Sequence, residues 1–98
     1  MITIKDIKEN AKNHPLGRGK IVRYGNDFLL FSVVGGADSL YGDFEETFEV
    51  AIFDKKTNEF VTNYLLSDSN NGVVGWMSGD ELVRISNEFL EKGFQFDL

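Results

Sequence analysis

Carboxylates dominate the segment DFEETFEVAIFD, residues 43–54, and their spacing invites a chemical interpretation. Two carboxylates in one concave site perform acid–base hydrolysis when their surroundings hold their pKa values apart. Alternate residues of a strand share a face, so Asp43, Glu45 and Glu49 would project from one side of the segment. Glu45 and Glu49 would then stand on the order of 13 Å apart, which is too far for them to act as a catalytic pair.

Other motifs with catalytic or ligand-binding potential also fail on spacing. His14 is the only histidine, and no nucleophile motif lies near it, which favours a helix-terminal role over that of a catalytic base. The GRGK segment at 17–20 lacks the spacing of a phosphate-binding loop. Gly72 comes one position too early for a calcium loop that starts at Asp68, and the twelfth position of that loop is Gly79 instead of glutamate. We therefore expect a protein that is not an enzyme and that uses no metal or cofactor.

The acidic side chains have two interpretations that differ in function. One is the solvated face of a half-buried antiparallel sheet, which is common. The other is a phosphate-like array that occupies the basic site of a nucleic-acid-binding protein, because carboxylates there would replace the charge that nucleic acid supplies. The candidate partner-binding carboxylates are Asp38, Asp43, Glu45, Glu46, Glu49 and Glu59.

Trp76 is the only tryptophan, and it follows a glycine-rich loop just before the final helix. That helix is predicted to begin at its N-cap Ser78 and to end at Gly93 as a left-handed cap. Large aromatic side chains are usually buried, which favours Trp76 as a core anchor for this helix. The alternative is an exposed binding residue, because tryptophan is enriched among interface hot spots.

The composition predicts one domain over residues 1–98, with an uneven distribution of charge. Residues 1–23 hold six basic and two acidic side chains, residues 24–98 hold four basic and fourteen acidic ones, and the net charge is −6. An acidic body argues against non-specific nucleic-acid binding and favours a basic protein partner. The chain has no cysteine and no apolar run long enough to cross a bilayer, so we expect a cytoplasmic protein without disulfides.

The apolar pattern predicts an α+β fold with a helix at each end of an antiparallel sheet. Thr3 is a suitable N-cap for a helix over 3–13, and Asp6 is placed to complete its capping box. A hairpin is predicted over 20–34 with a two-residue turn at Gly25–Asn26. Its second strand is apolar on both faces, which is typical of a central strand.

Two further strands are predicted, over 43–53 and 59–66, so that the sheet is a four-stranded meander. The turn between them contains Asn58, which suits the left-handed conformation. A turn at Asn71–Gly72 would add residues 73–77 as a fifth strand at the edge of the sheet.

No motif identifies a family. In size, acidity, scarcity of cysteine and lack of catalytic residues, the chain resembles small acidic proteins of phages and mobile elements, such as anti-CRISPR and anti-restriction proteins. That resemblance implies an inhibitor that blocks a CRISPR or restriction nuclease in the host cytoplasm, with nucleic-acid mimicry as one means. The alternative is an immunity-type or accessory module that binds its partner through Trp76 and the glycine-rich loops. Both hypotheses imply a protein partner, without direct binding to nucleic acid or membrane.

Overall fold

An antiparallel sheet and three helices make up the fold in the computed structural model, which describes residues 1–15, 18–37, 40–67 and 69–96. The strands are β1 (Lys12–Asn13), β2 (Lys20–Gly25), β3 (Leu29–Gly35), β4 (Thr47–Asp54), β5 (Val74–Ser78) and β6 (Gln95–Phe96). The helices are α1 (Ile4–Glu9), α2 (Thr62–Leu65) and α3 (Gly79–Phe89). Strands β1 to β5 lie side by side in chain order, and β6 pairs with β2. The expected α+β class, an antiparallel sheet with helices at both ends, is confirmed.

The main core lies on one face of this sheet, against α1 and α3. Tyr24, Phe31 and Ile52 form a fully buried row across β2, β3 and β4. The rings of Tyr24 and Phe31 are stacked with their centroids 5.3 Å apart. The Tyr24 hydroxyl and the Ser86 hydroxyl share a buried hydrogen bond of 2.7 Å, which fastens α3 to β2. β3 is the middle strand of the five, as its apolar pattern predicts.

The N-terminal helix begins as expected but ends earlier. The Thr3 hydroxyl accepts the Asp6 N–H at 3.2 Å, and the Asp6 carboxylate accepts the Thr3 N–H at 3.0 Å, which completes the capping box. Asn10 ends the helix, and its side-chain amide donates to the Asp6 carbonyl oxygen at 2.8 Å. The predicted extent of 3–13 is therefore wrong, because Lys12–Asn13 form β1 and pair with β2.

The first hairpin turns later in the chain than predicted. Gly25 remains in β2, opposite Leu30, and the turn begins at Asn26. The Asn26 side-chain oxygen accepts the N–H groups of Phe28 and Leu29 at 2.8 and 2.9 Å. Gly25 is required there by close approach, because a Cβ atom would lie 1.9 Å from the Leu29 carbonyl oxygen. Asparagine therefore directs this turn through its side chain.

The predicted strand over 59–66 is wrong. Phe60 makes a single bridge to Phe53, and the chain then enters the short helix α2. The buried Thr62 hydroxyl accepts the Ile52 N–H at 2.8 Å and donates to the Ile52 carbonyl oxygen at 3.2 Å. This side chain therefore takes the place of a strand partner beside β4, despite the high β-propensity of the segment.

The candidate edge strand, the turn at Asn71–Gly72 and the left-handed conformation of Asn58 are confirmed. β5 pairs with β4 as the last strand of the sheet, close to the predicted 73–77. Asn71 and Gly72 have φ values of 55° and 85°, and Asn70 bridges to Val73 across them, which is the expected two-residue turn. Asn58 has a φ of 59°.

The last helix begins where the sequence predicts. The Ser78 hydroxyl accepts the Glu81 N–H at 3.2 Å and caps α3. The helix ends at Phe89 with Leu90 as its C-cap, so Gly93 lies three residues beyond the cap. Its φ of 133° is positive, but its position beyond Leu90 means that the prediction of Gly93 as the cap of this helix is wrong.

Candidate protein-binding surface

Asp43 organises the turn that leads into β4. Its carboxylate accepts the backbone N–H groups of Glu45, Glu46 and Thr47 at 2.8, 2.9 and 3.0 Å. These three bonds hold the pKa of the Asp43 carboxyl well below its usual range, because they favour the ionised form. The Asp43 carboxylate is thus hydrogen-bonded to the backbone of its own turn.

The same turn reverses the chain at Phe44, and this changes where the acidic residues point. Phe44 has a φ of 61°, and its buried ring packs edge-on against Phe48 with centroids 5.1 Å apart. β4 begins only at Thr47. The prediction of one strand over 43–53 that carries Asp43, Glu45 and Glu49 in a row is therefore wrong.

The remaining candidate carboxylates are dispersed over the surface. Glu45 and Glu46 are exposed in the turn, and a Glu45 carboxylate oxygen lies 4.0 Å from the Lys8 ammonium nitrogen. An ion pair this exposed contributes little to stability. Glu59 is exposed in the turn between β4 and α2. Asp38 lies outside the described residues.

Glu49 is the predicted acidic residue that does lie in β4. Its neighbours Phe48 and Val50 are buried in the core, so alternation places Glu49 on the opposite face of the sheet. The side chain is half-buried, and its Oε1 atom accepts the Tyr41 N–H at 3.1 Å. Glu49 therefore ties the loop before β4 to the strand itself.

A β-bulge lies opposite Glu49. Phe48 pairs with Met77 and Val50 pairs with Val74, which leaves two residues of β5 against one of β4. The two residues are Gly75 and Trp76. Trp76 has a φ of 56°, a left-handed conformation that costs a non-glycine residue on the order of 1–3 kcal/mol.

Tyr41 packs against this bulge and stabilises it through a backbone hydrogen bond. The Trp76 N–H donates to the Tyr41 carbonyl oxygen at 2.7 Å. A Cβ atom on Gly75 would lie 2.6 Å from the Tyr41 Cβ, so the glycine is required by close approach. The Tyr41 backbone is thus bonded to Trp76 through its carbonyl oxygen and to Glu49 through its N–H, and we call these three residues the Trp76 patch.

Both aromatic side chains of the Trp76 patch face solvent. Trp76 is 63% exposed and Tyr41 is 55% exposed, whereas the next residue, Met77, is 7% exposed and belongs to the core. The interpretation of Trp76 as a core anchor is therefore wrong. Sequence reasoning missed Tyr41 altogether, although the glycine before Trp76 is a known signal for a bulge or a close backbone approach.

The chain segments that carry the patch are uniformly acidic. Residues 40–50 and 73–81 contain six carboxylates and no lysine or arginine. The carboxylates are Asp43, Glu45, Glu46, Glu49, Asp80 and Glu81. Of these six, Glu49 belongs to the Trp76 patch, whereas Glu45 lies near Lys8 and Glu81 pairs with Arg84. The patch thus combines two exposed aromatic side chains with the Glu49 carboxylate.

A separate open groove of about 560 Å³ lies beside β1 and β2. Its lining mixes both signs of charge, with Lys8 and Lys20 facing Asp43 and Glu45. The Lys20 ammonium donates to the Asn13 side-chain oxygen at 2.9 Å. Lys20, the last residue of the GRGK segment, begins β2, so the segment leads into a strand and not into the helix that follows a phosphate-binding loop.

Within the described ranges, no group of three or more histidine, cysteine, aspartate or glutamate residues is placed to hold a metal ion. None of the helices described is long and apolar enough to cross a membrane. The chain matches no protein-family model, no curated protein and no solved structure in the comparisons made with each.

Proposed function

We propose that this protein acts by binding another protein through the Trp76 patch. The observation that carries the proposal is the 63% exposure of Trp76 in a left-handed backbone conformation. Backbone strain of this kind persists only where surrounding contacts impose it, and it is concentrated at functional sites. Exposed tryptophan and tyrosine are also the residues that most often carry binding energy at protein interfaces.

The contacts around Trp76 support a preorganised binding surface. The backbone of Tyr41 is held on one side by Trp76 and on the other by Glu49, at 2.7 and 3.1 Å. A surface that is already ordered loses less conformational entropy on binding, and this favours affinity.

These observations favour an interaction module over nucleic-acid mimicry by a strand-borne acidic row. The row required Asp43, Glu45 and Glu49 to share one strand face, but Asp43 is engaged in its own turn and β4 begins at Thr47. The module that binds through Trp76 does not depend on that row.

A second candidate function is that of an acidic inhibitor whose target is a basic nucleic-acid-binding protein, such as a CRISPR or restriction nuclease. Such an inhibitor would be encoded by a phage or mobile element and would act in the host cytoplasm. The net charge of −6 and the exposed positions of Glu45, Glu46 and Glu59 favour it. Its binding would weaken with salt, because exposed charges are screened.

Photo-crosslinking tests the proposed function. Tyr41 is replaced by p-benzoylphenylalanine, which keeps an aromatic ring in the patch, and the control carries the same group at Tyr64, which is 86% exposed on α2. We expect a partner adduct from position 41, much less from position 64, and loss of the adduct on adding Trp76→Ala. Adding Trp76→Gly, which removes the indole and also relieves the backbone strain, should abolish the adduct to the same extent. An adduct that survives both changes would overturn the proposal.

Charge reversal separates the second candidate from the first. Glu46→Lys with Glu59→Lys changes two exposed carboxylates, and Asp27→Lys with Glu91→Lys makes the same change in net charge at exposed positions elsewhere. The acidic inhibitor requires partner binding to fall much further in the first pair. Equal binding by both pairs would rule out these carboxylates as the contact.

A further inference from the structure

We infer that the partner presents an arginine side chain to the Trp76 patch, where the guanidinium stacks on the indole and pairs with the Glu49 carboxylate. This inference rests on the proposed function and names the chemistry of its partner. The occupant is thus a basic segment of a protein, recognised through arginine.

The aromatic side chains supply the first part of the recognition. A cation is attracted to the face of an aromatic ring, and tryptophan is the strongest such partner. Arginine is favoured over lysine, because its guanidinium is planar, weakly hydrated and able to stack. Trp76 and Tyr41 are both more than half exposed, so their rings are accessible to such a group.

Glu49 supplies the second part. One carboxylate oxygen accepts the Tyr41 N–H, which fixes the side chain beside the bulge. A carboxylate has about four lone-pair sites, so this bond leaves acceptor capacity for a guanidinium. The match of guanidinium and carboxylate geometry makes such charge-assisted bonds strong and directional.

The surrounding charge gives the third part. Residues 40–50 and 73–81 carry six carboxylates and no lysine or arginine, although Glu45 lies near Lys8 and Glu81 pairs with Arg84. Glu49 is the carboxylate that is bonded to Tyr41, so the charge of the patch itself is negative. A basic segment is complementary to this surface, and its approach would be accelerated by the acidic body of the chain.

The sole tryptophan makes the site directly observable. The probe is the peptide acetyl-Gly-Arg-Gly-Arg-Gly-amide, compared with peptides in which lysine or uncharged citrulline replaces arginine. We expect saturable changes in Trp76 fluorescence and in its indole N–H resonance with the arginine peptide. The lysine peptide should bind several-fold more weakly, and the citrulline peptide should bind at least tenfold more weakly.

Glu49→Gln tests the carboxylate, since glutamine keeps an acceptor for the Tyr41 N–H and removes the charge. We expect the affinity for the arginine peptide to fall about tenfold, which corresponds to the loss of one charge-assisted contact. The matched control Glu59→Gln removes an exposed charge in the turn after β4 and should leave the affinity unchanged.

The outcomes distinguish this inference from the proposed function. Equal binding of the arginine and citrulline peptides, or no response up to about 10 mM peptide, would overturn the arginine inference. Partner crosslinking at position 41 that depends on Trp76 would still support the proposed function in that case. Arginine-peptide binding without Trp76-dependent crosslinking would instead contradict the proposed function.

Discussion

The Trp76 N–H donates to the Tyr41 carbonyl oxygen at 2.7 Å, so a loop residue 35 positions earlier in the sequence serves as backbone partner to the bulge in β5. This bond stabilises a left-handed tryptophan that the local sequence does not favour. Because the strain belongs to position 76 itself, it is accessible to mutation.

Trp76→Gly should be more stable than Trp76→Ala by about 1 kcal/mol, since glycine adopts positive φ without steric penalty. Denaturant unfolding of both variants measures the difference. Tyr64 in α2 provides the control with the opposite sign, because glycine in a helix is less favourable than alanine by about 1 kcal/mol. Equal stabilities at position 76 would contradict the strained backbone.

Predictions from sequence succeeded where a structure depends on neighbouring residues. Phe48, Val50 and Ile52 alternate along the segment and all lie on the core face of β4, because the two-residue period of a strand is a local property. The capping box of Thr3 with Asp6 depends on four consecutive residues, and it forms as predicted.

Predictions failed where a side chain competes for backbone partners or acts over long range. Asp43 accepts three N–H groups of its own turn and so delays the start of β4, as aspartate side chains often do in turns. Thr62 binds the backbone of Ile52 ten residues earlier and converts a predicted strand into α2. The exposure of Trp76 depends on Tyr41 and on a bulge, neither of which alternation along the strand can indicate.

Thr62→Val should destabilise the protein by about 2 kcal/mol, because an isosteric methyl group leaves the buried Ile52 N–H without its acceptor. Urea unfolding measures the change. Thr57→Val is the control. Thr57 is exposed in the turn after β4, so the loss of its hydroxyl group should change the free energy of unfolding by about 0.5 kcal/mol or less. Equal effects would show that the hydroxyl of Thr62 does not replace a strand partner.

Tyr24→Phe and Ser86→Ala should each destabilise the fold by about 1–2 kcal/mol, because the two hydroxyls share a buried hydrogen bond. The double variant should lose less unfolding free energy than the two single variants lose together, because the second substitution removes a hydroxyl that already has no hydrogen-bond partner. A double-mutant cycle from chemical unfolding gives the coupling energy. Strict additivity would contradict an energetic role for the bond between α3 and β2.

The ionisation of the buried Tyr24 hydroxyl should contribute to a fall in the unfolding free energy at alkaline pH. Burial raises the pKa of the Tyr24 hydroxyl, because the phenolate is poorly solvated in the core. Its contribution is therefore fully present below the ordinary tyrosine pKa of about 10 and is lost as the pH rises above it. Tyr24→Phe should show a shallower decline in unfolding free energy above that pH, and an unchanged slope would contradict the assignment.

Asp43 should contribute to the loss of stability in acid. Its folded-state pKa is depressed by the three backbone N–H groups, so its contribution is present above the ordinary aspartate pKa of about 4 and is lost as the pH falls below that value. Asp43→Asn keeps an oxygen acceptor and removes the titration, so the urea midpoint should decline less steeply in acid than that of the unmodified protein. Glu46→Gln removes a neighbouring exposed carboxylate, which accepts none of these N–H groups, and should leave the acid profile close to that of the unmodified protein. If both variants followed the same acid profile, the turn would not depend on the ionised form of Asp43.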